Sequence, residues 1–348
     1  MIGFLARYPT YRIFLTAVLT LVATAALAPF WIRLLKVRNI GQIVRADGPT
    51  GHLTKEGTPT MGGVLILVTV TGASVLMGRI TPYVVVALFT MLACGTVGFF
   101  DDYSSVVRAR SLGLKARSKL FWQLVISVTT GLLAVNYAHV STSVIVPLSR
   151  LSIPLGSPSF SLSLGGAKIL VPVLYLLLLF VVVAGFSNAV NLTDGLDGLA
   201  AGTVTIIMLA YAGIAFRQNR LDVALFCAAV AGSCIGFLWY NSFPADIFMG
   251  DTGSLGLGGA IAALAILTRT ELLLGLIGGI YVIEACSVIA QVLSFRYLGR
   301  RILRMAPIHH HFEMIGWSET KIMVRFWIIT GVLAGGGFAI YFVSRIRS

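Results

Sequence analysis

Three tight groups of carboxylates mark this chain: Asp101-Asp102, Asp194 with Asp197, and Asp246 with Asp251. Each lies at the end of a long apolar run. Charged side chains are costly near lipid and usually sit there for a task. Two adjacent ionised acids repel each other unless a cation or a proton intervenes. Mg²⁺ prefers hard oxygen ligands and commonly binds through one or two carboxylates plus substrate phosphates. The pattern points to a metal and phosphate site built at a membrane surface. For Asp101-Asp102 alone, a solvated helix end is the plain alternative. Negative charge at a helix C-terminus opposes the macrodipole, which makes that alternative less comfortable.

The flanking residues sharpen this. Asp194 and Asp197 belong to Asn191-Leu192-Thr193-Asp194-Gly195-Leu196-Asp197-Gly198. Three apart, they share a face if a helix starts there. An N-cap explains one acid but not two acids, two glycines and the two asparagines Asn188 and Asn191 together, so a nucleotide-contacting loop is favoured. Asp251 sits in Phe248-Met249-Gly250-Asp251-Thr252-Gly253-Ser254, just before an apolar run. A helix N-terminus attracts phosphate, and a carboxylate there can hold a bridging cation. Phe248 suits a stacked base or an interfacial anchor equally. His309, His310 and His311 follow Ala306-Pro307-Ile308. Adjacent residues rarely all reach one tetrahedral zinc, so hydrogen bonds to a phosphate or sugar fit better. Lys55, Lys115 and Lys119 are candidate phosphate partners, although most lysines at such positions are membrane anchors. Lys119 ranks first because it starts a span close to Asp101-Asp102. Glu284 and Gln291 fall in or near an apolar run; an acid at that depth should face the bundle interior, and Glu284 is assigned no role.

The elements that hold these residues are membrane helices. The chain has 348 residues, 57% hydrophobic and 11% charged, against about 25% charged in soluble domains. Its apolar residues fall into runs near the roughly 20 residues a helix needs to cross a bilayer. Spans are expected at 13–32, 61–79, 82–100, 120–137, 169–187, 199–216, 221–240, 253–268, 271–295 and 324–344. The fold class is an all-α polytopic membrane protein of about ten spans, with residues 1–348 as a single domain. Continuous rather than alternating apolar runs argue against a β-barrel. Most of the 26 Lys and Arg fall in the odd-numbered loops, which places those loops in the cytoplasm and both termini outside. The net charge of +13 suits anionic lipid headgroups, not nucleic acid, because no basic domain stands apart from the spans. In the outward stretch 138–168, Val144-Ile145-Val146 and Phe160-Ser161-Leu162-Ser163-Leu164 are expected to pair as a small β-hairpin. Cys94, Cys227, Cys234 and Cys286 lack metal or disulfide spacing and are read as small packing residues.

Taken together, the motifs resemble the phospho-N-acetylmuramoyl-pentapeptide transferases, within the polyprenyl-phosphate N-acetylhexosamine-1-phosphate transferase superfamily. The resemblance runs over nearly the whole chain. It rests on Asp47-Gly48-Pro49 with His52 and Lys55, Gly57-Thr58-Pro59-Thr60-Met61-Gly62-Gly63, Asp101-Asp102-Tyr103, the Asn191–Gly198 and Phe248–Ser254 motifs, and Pro307-Ile308-His309-His310-His311-Phe312-Glu313. The triple-His stretch points to this branch over relatives using another UDP-N-acetylhexosamine. The resemblance implies that Asp251 binds Mg²⁺ and that Asp101 and Asp102 lie near the metal and lipid phosphate, as further candidate ligands. It implies that Lys119 is the active-site lysine and that His309 acts beside it. Lys55, Thr60, Asn191, Asp194, Asp197, Asn241, Phe248, Gln291, His310 and His311 would line the uridine, pyrophosphate and sugar region. The family often has Lys two residues after Asp-Asp-Tyr; here that residue is Ser105.

The implied substrates are UDP-N-acetylmuramoyl-pentapeptide and undecaprenyl phosphate, with lipid I and UMP as products in peptidoglycan synthesis. The implied location is the bacterial inner membrane, with the site on the cytoplasmic face. A homodimer is compatible with the resemblance. A cation-coupled transporter is the competing class, since intramembrane acids and Gly-broken helices suit it too. A transporter should carry its charges near the midplane, whereas here they cluster at span ends.

Overall fold

The computed structural model describes residues 8–38, 40–41, 57–107, 113–149, 151–164 and 167–346. Among the described residues, nine helices are long and apolar enough to cross a membrane. They are α1 (Pro9–Val37), α3 (Pro82–Val107), α4 (Ala116–Asn136), α5 (Val173–Thr193), α6 (Leu199–Arg217), α7 (Leu221–Asn241), α8 (Gly250–Thr268), α10 (Gly279–Leu298) and α12 (Glu319–Ile346). The span expected at 61–79 is the shorter α2 (Gly63–Met77), 15 residues long. The span expected at 271–295 is broken: the single turn α9 (Leu274–Ile277) precedes α10, with Gly278 between them. A short α11 (Ile308–Met314) precedes α12. The chain is a multi-pass, all-α membrane protein.

The expected hairpin is corrected. Ser143–Ile145 (β1) pairs antiparallel with Ser152–Pro154 (β2), and Ser159–Leu164 (β3) with Ala167–Pro172 (β4). The two apolar segments therefore pair not with each other but each with the strand beyond its own turn. Short connections favour such local hairpins. Cys94, Cys227 and Cys234 are buried as expected, but Cys286 is exposed on the outer side of α10.

Small residues decide how closely these helices approach. Lipid is as apolar as the helices, so association depends on close contact and on hydrogen bonds rather than on burial from water. The inner stripe of α1 runs Thr16, Thr20, Thr24, Ala28, Ile32 and Leu35. It meets Gly232 and Gly236 of α7, where a Cβ would stand 2.1 Å from the Ala17 carbonyl oxygen and 2.4 Å from that of Leu21. Thr24, Thr69 of α2 and Ser233 of α7 close a buried triangle of hydroxyl contacts of 2.8–3.0 Å.

A second crossing places the acids. The central helix α8 is buried along nearly its whole length. A Cβ on Gly98 of α3 would lie 2.1 Å from the Asp251 carbonyl oxygen, and one on Gly63 of α2 would lie 2.1 Å from the Gly253 nitrogen. Backbone meets backbone there. Three and four residues beyond Gly98, α3 therefore delivers Asp101 and Asp102 to the first turn of α8. These acids lie within α3, which continues past the expected boundary at residue 100.

Candidate active site

α8 starts at Gly250, whose φ of +74° an L side chain rarely adopts. Its own N-cap residue, Met249, makes no side-chain cap bond. Asp102 supplies the cap from α3. Its Oδ1 accepts the Asp251 N–H at 2.9 Å; its Oδ2 accepts the Thr252 N–H at 2.9 Å and the Thr252 hydroxyl at 2.6 Å. A carboxylate there satisfies the orphan donors of a helix start and faces the positive end of its dipole.

With the turn held, the Asp251 side chain points to a shared cation. The Lys119 ammonium lies 2.7 Å from Asp251 Oδ2 and 3.0 Å from Asp101 Oδ2. Asn191 donates to Asp251 Oδ1 at 2.8 Å and to the Ser254 hydroxyl at 2.9 Å. Asp101 Oδ1 accepts the Leu114 N–H at 2.6 Å. Asp251 and Lys119 keep side-chain exposures of 26% and 20%. The cluster is therefore reachable from outside, unlike the sealed helix crossings around it. Lys119 lies in the first turn of α4, where a lysine gains nothing from the helix dipole; the two carboxylates account for its position.

Asp194, the C-cap of α5, belongs to the same field. Burial, then the negative charges of Asp251, Asp102 and Asp197, hold its carboxyl well above the usual carboxylate range. Asp197 and Asn241 stitch loops together: Asp197 Oδ2 accepts the Ala245 N–H at 3.0 Å, and Asn241 accepts from Gly198 N–H and donates to the Ile247 carbonyl. Phe248 is fixed by its backbone, which donates to the Pro59 carbonyl and accepts from Gly62 N–H. Thr60 is buried, its hydroxyl 3.1 Å from where a Gly250 Cβ would stand.

The histidine loop packs on the Asp194–Gly195 turn. A Cβ on Gly195 would lie 2.4 Å from His309 Nε2 and 3.2 Å from His310 Nε2. His310 Nδ1 lies 3.0 Å from Glu313, and His311 Nδ1 accepts the Arg304 N–H at 3.1 Å. Gln291 is turned to structure: its amide binds Leu303 O, Ile302 N–H and Leu303 N–H, pinning the segment before the histidines. Asp246 is exposed, whereas Asp251 is half-buried. Lys55, with Asp47-Gly48-Pro49 and His52, lies outside the described residues.

Sequence reasoning missed the brace beneath the site. Gln123 of α4 donates to the Ser187 hydroxyl at 3.0 Å and accepts from Asn188 at 2.9 Å, tying α4 to α5. Lone polar residues inside apolar runs were the available signal. Beside the cluster, an apolar groove of about 710 Å³ runs between α3 and α4, lined by Phe89, Phe100, Tyr103, Trp122, Val125 and Leu114 among others.

Comparison with known proteins identifies the family. The model described as Glycosyl transferase family 4 matches residues 84–269, and Phospho-N-acetylmuramoyl-pentapeptide-transferase signature 1 matches residues 55–67. The phospho-N-acetylmuramoyl-pentapeptide-transferase of Rubrobacter xylanophilus is 46% identical over 332 residues, covering 95% of this chain and 98% of that protein. The chain belongs to the phospho-N-acetylmuramoyl-pentapeptide-transferase family. Proteins of the same name from Bacillus subtilis, 44% identical over 92% of this chain and 95% of theirs, and Corynebacterium urealyticum, 42% over 95% and 97%, support the same placement. The chain is thus a transferase, and the transporter alternative is set aside.

Proposed function

We propose that the chain transfers phospho-N-acetylmuramoyl-pentapeptide from its UDP carrier to undecaprenyl phosphate, releasing UMP and leaving lipid I in the bacterial inner membrane. The observation that carries this reading is the Lys119 ammonium bridging Asp251 and Asp101 at 2.7 and 3.0 Å. Residues far apart in sequence thereby form one half-open charged cluster. The excess of Lys and Arg in the odd-numbered loops supports a cytoplasmic position for that end of the bundle.

The donor set suits Mg²⁺. Asp251 and Asp101 offer hard oxygens, and a cation already spans the pair. Among the described residues, no group of three or more His, Cys, Asp or Glu side chains is arranged to hold a metal alone. Substrate phosphate oxygens would complete the shell, as is usual for Mg²⁺. When bound by Asp251 with Asp101, the ion would neutralise charge developing on the diphosphate.

An oxygen of the lipid phosphate attacks the β-phosphorus of the sugar nucleotide. The bond from that phosphorus to the bridging oxygen breaks, and UMP departs with the oxygen. A phosphate monoester with second pKa near 6 is largely dianionic at neutral pH, so the attack requires no side-chain base. Lys119 adds positive charge where the leaving oxygens gather. Asp102 holds the α8 turn, Asn191 orients Asp251, and Phe248 with the histidine loop bounds the nucleotide side. The α3–α4 groove opens beside Asp101 and suits the isoprenoid chain of the acceptor.

Reconstitution with UDP-N-acetylmuramoyl-pentapeptide, undecaprenyl phosphate and Mg²⁺ tests the reading. Equal amounts of UMP and lipid-linked sugar are expected, abolished by chelation. Turnover with another UDP-N-acetylhexosamine but not this one would overturn the substrate assignment.

A further inference from the structure

Glu284, to which the sequence assigned no role, is joined to a residue of the candidate site. It lies in α10 with 0% exposure, and His309 of α11 is likewise 0% exposed. His309 Nδ1 stands 3.0 Å from Glu284 Oε1. The pair joins α10 to α11. An acid sealed inside a protein is retained only when its partner compensates the lost hydration. Among the described residues, His309 Nε2 and Glu284 Oε2 find no hydrogen-bonding partner, although both are buried. His309 Nε2 faces Gly195, so close that any Cβ there would stand 2.4 Å away. Gly195 directly follows Asp194 in the turn that also carries Asp197.

We propose that Glu284 is a positioning residue: its carboxylate accepts the Nδ1–H of His309, fixes the ring, and turns Nε2 to the Asp194–Gly195 turn, where a substrate oxygen becomes its partner. A carboxylate behind a functional histidine sets which ring nitrogen carries the proton and which is left to act. His310 and His311 are held instead by Glu313 and by the backbone of Arg304, so each histidine of the triplet has a different support. The first is anchored to a transmembrane helix. The assignment of a substrate oxygen rests on the transferase reading above.

The test combines Glu284→Gln with His309→Asn, whose amide can still donate to Glu284 and so keeps the buried acid satisfied. Glu284→Gln alone is expected to lower kcat/KM roughly 10- to 100-fold, as loss of such partners does. In the His309→Asn background the same change should cost less than about twofold, since interacting residues are non-additive. An equal loss in both backgrounds, or no loss in either, overturns the proposal. A second readout needs no substrate. In full-length protein labelled with ¹⁵N-histidine, the His309 signal, identified by its disappearance in His309→Asn, should show a protonated Nδ1. Glu284→Gln, whose amide can accept or donate, should introduce a bare Nδ1 population. A bare Nδ1 in the unmodified protein, or a ring unchanged by Glu284→Gln, contradicts the proposal. Absence of any transfer by the unmodified protein, with the ring as expected, would instead count against the transferase reading alone.

Discussion

The two ends of α8 carry polar clusters of opposite design. They are separated by about 28 Å, the length of a 19-residue helix. At the first end, Asp101, Asp102, Asp194, Asp197 and Asp251 gather, with Lys119 the one cation paired with them among the described residues, and the cluster stays partly open. At the far end, Glu271 accepts the Tyr175 hydroxyl at 2.9 Å, and Arg269 binds the Ser143 carbonyl and hydroxyl on β1. Among the described residues, Glu271 and Arg269 there are bonded to hydroxyls and a carbonyl. Burial pushes the Glu271 carboxyl up to about 7, against the pull of its hydrogen bonds and Arg269. An excess of like charge has no structural use and is costly unless a cationic or phosphate-bound partner arrives. A matched, enclosed set is a way to fasten a loop to a helix end. The contrast separates a site from a clasp, although both contain buried acids.

Changes at the two ends should diverge. Short of removing Asp251 itself, the largest loss is expected for Lys119→Met. Turnover should fall roughly 10²–10³-fold, the scale for deleting one preorganised charge-stabilising group. Steady-state kinetics with both substrates would reveal it, and a loss under threefold would remove Lys119 from the charge-stabilising role. Asp102→Asn should act differently. An amide cannot accept from both backbone N–H groups with both its ends, so the α8 turn loosens at a cost of about 1–3 kcal/mol. Activity and melting temperature should therefore drop together; an inactive protein with an unchanged melting curve would make Asp102 a chemical rather than a capping residue.

These distinctions show what the sequence could and could not disclose. The helices were legible because apolar runs of bilayer length admit few other structures. The acids at Asp101-Asp102, Asp194 and Asp251 were legible because charge at the end of such a run needs a reason. Division of labour among them was not. Whether Asp102 caps a helix depends on α3 and α8 touching at Gly98, a contact between residues about 150 apart in sequence. That Gln291, a candidate site residue, also pins the backbone at 302–303 could not be read from its spacing. Glu284 looked idle yet meets His309. The break at Gly278 was hidden because a kinked apolar run reads like a straight one.

Gly98→Ala examines that crossing. Its Cβ would collide with the Asp251 carbonyl, so stability should fall by roughly 1–3 kcal/mol, the usual scale of overpacking. Activity should fall further than stability requires, because Asp101 and Asp102 move away from α8. Chemical denaturation alongside kinetics would resolve the two; normal stability and turnover would mean the helices can part without harm. The smallest effect on turnover is expected at the far end. With a folded-state pKa raised to about 7 from an ordinary 4.5, Glu271 binds more protons folded than unfolded between those values. Its contribution to stability is therefore fully present below about pH 4.5 and lost as pH rises to about 7. Glu271→Gln should keep transfer activity and flatten the fall in melting temperature over that window. An unchanged slope would show that another group titrates there.

The most direct test of the proposed centre is Asp251→Asn, assayed beside Glu271→Gln for Mg²⁺-dependent release of UMP in the reconstituted system. The account predicts that Asp251→Asn loses nearly all release while retaining its melting temperature, and that Glu271→Gln releases UMP at close to the unmodified rate. Substantial Mg²⁺-dependent release by Asp251→Asn would contradict it.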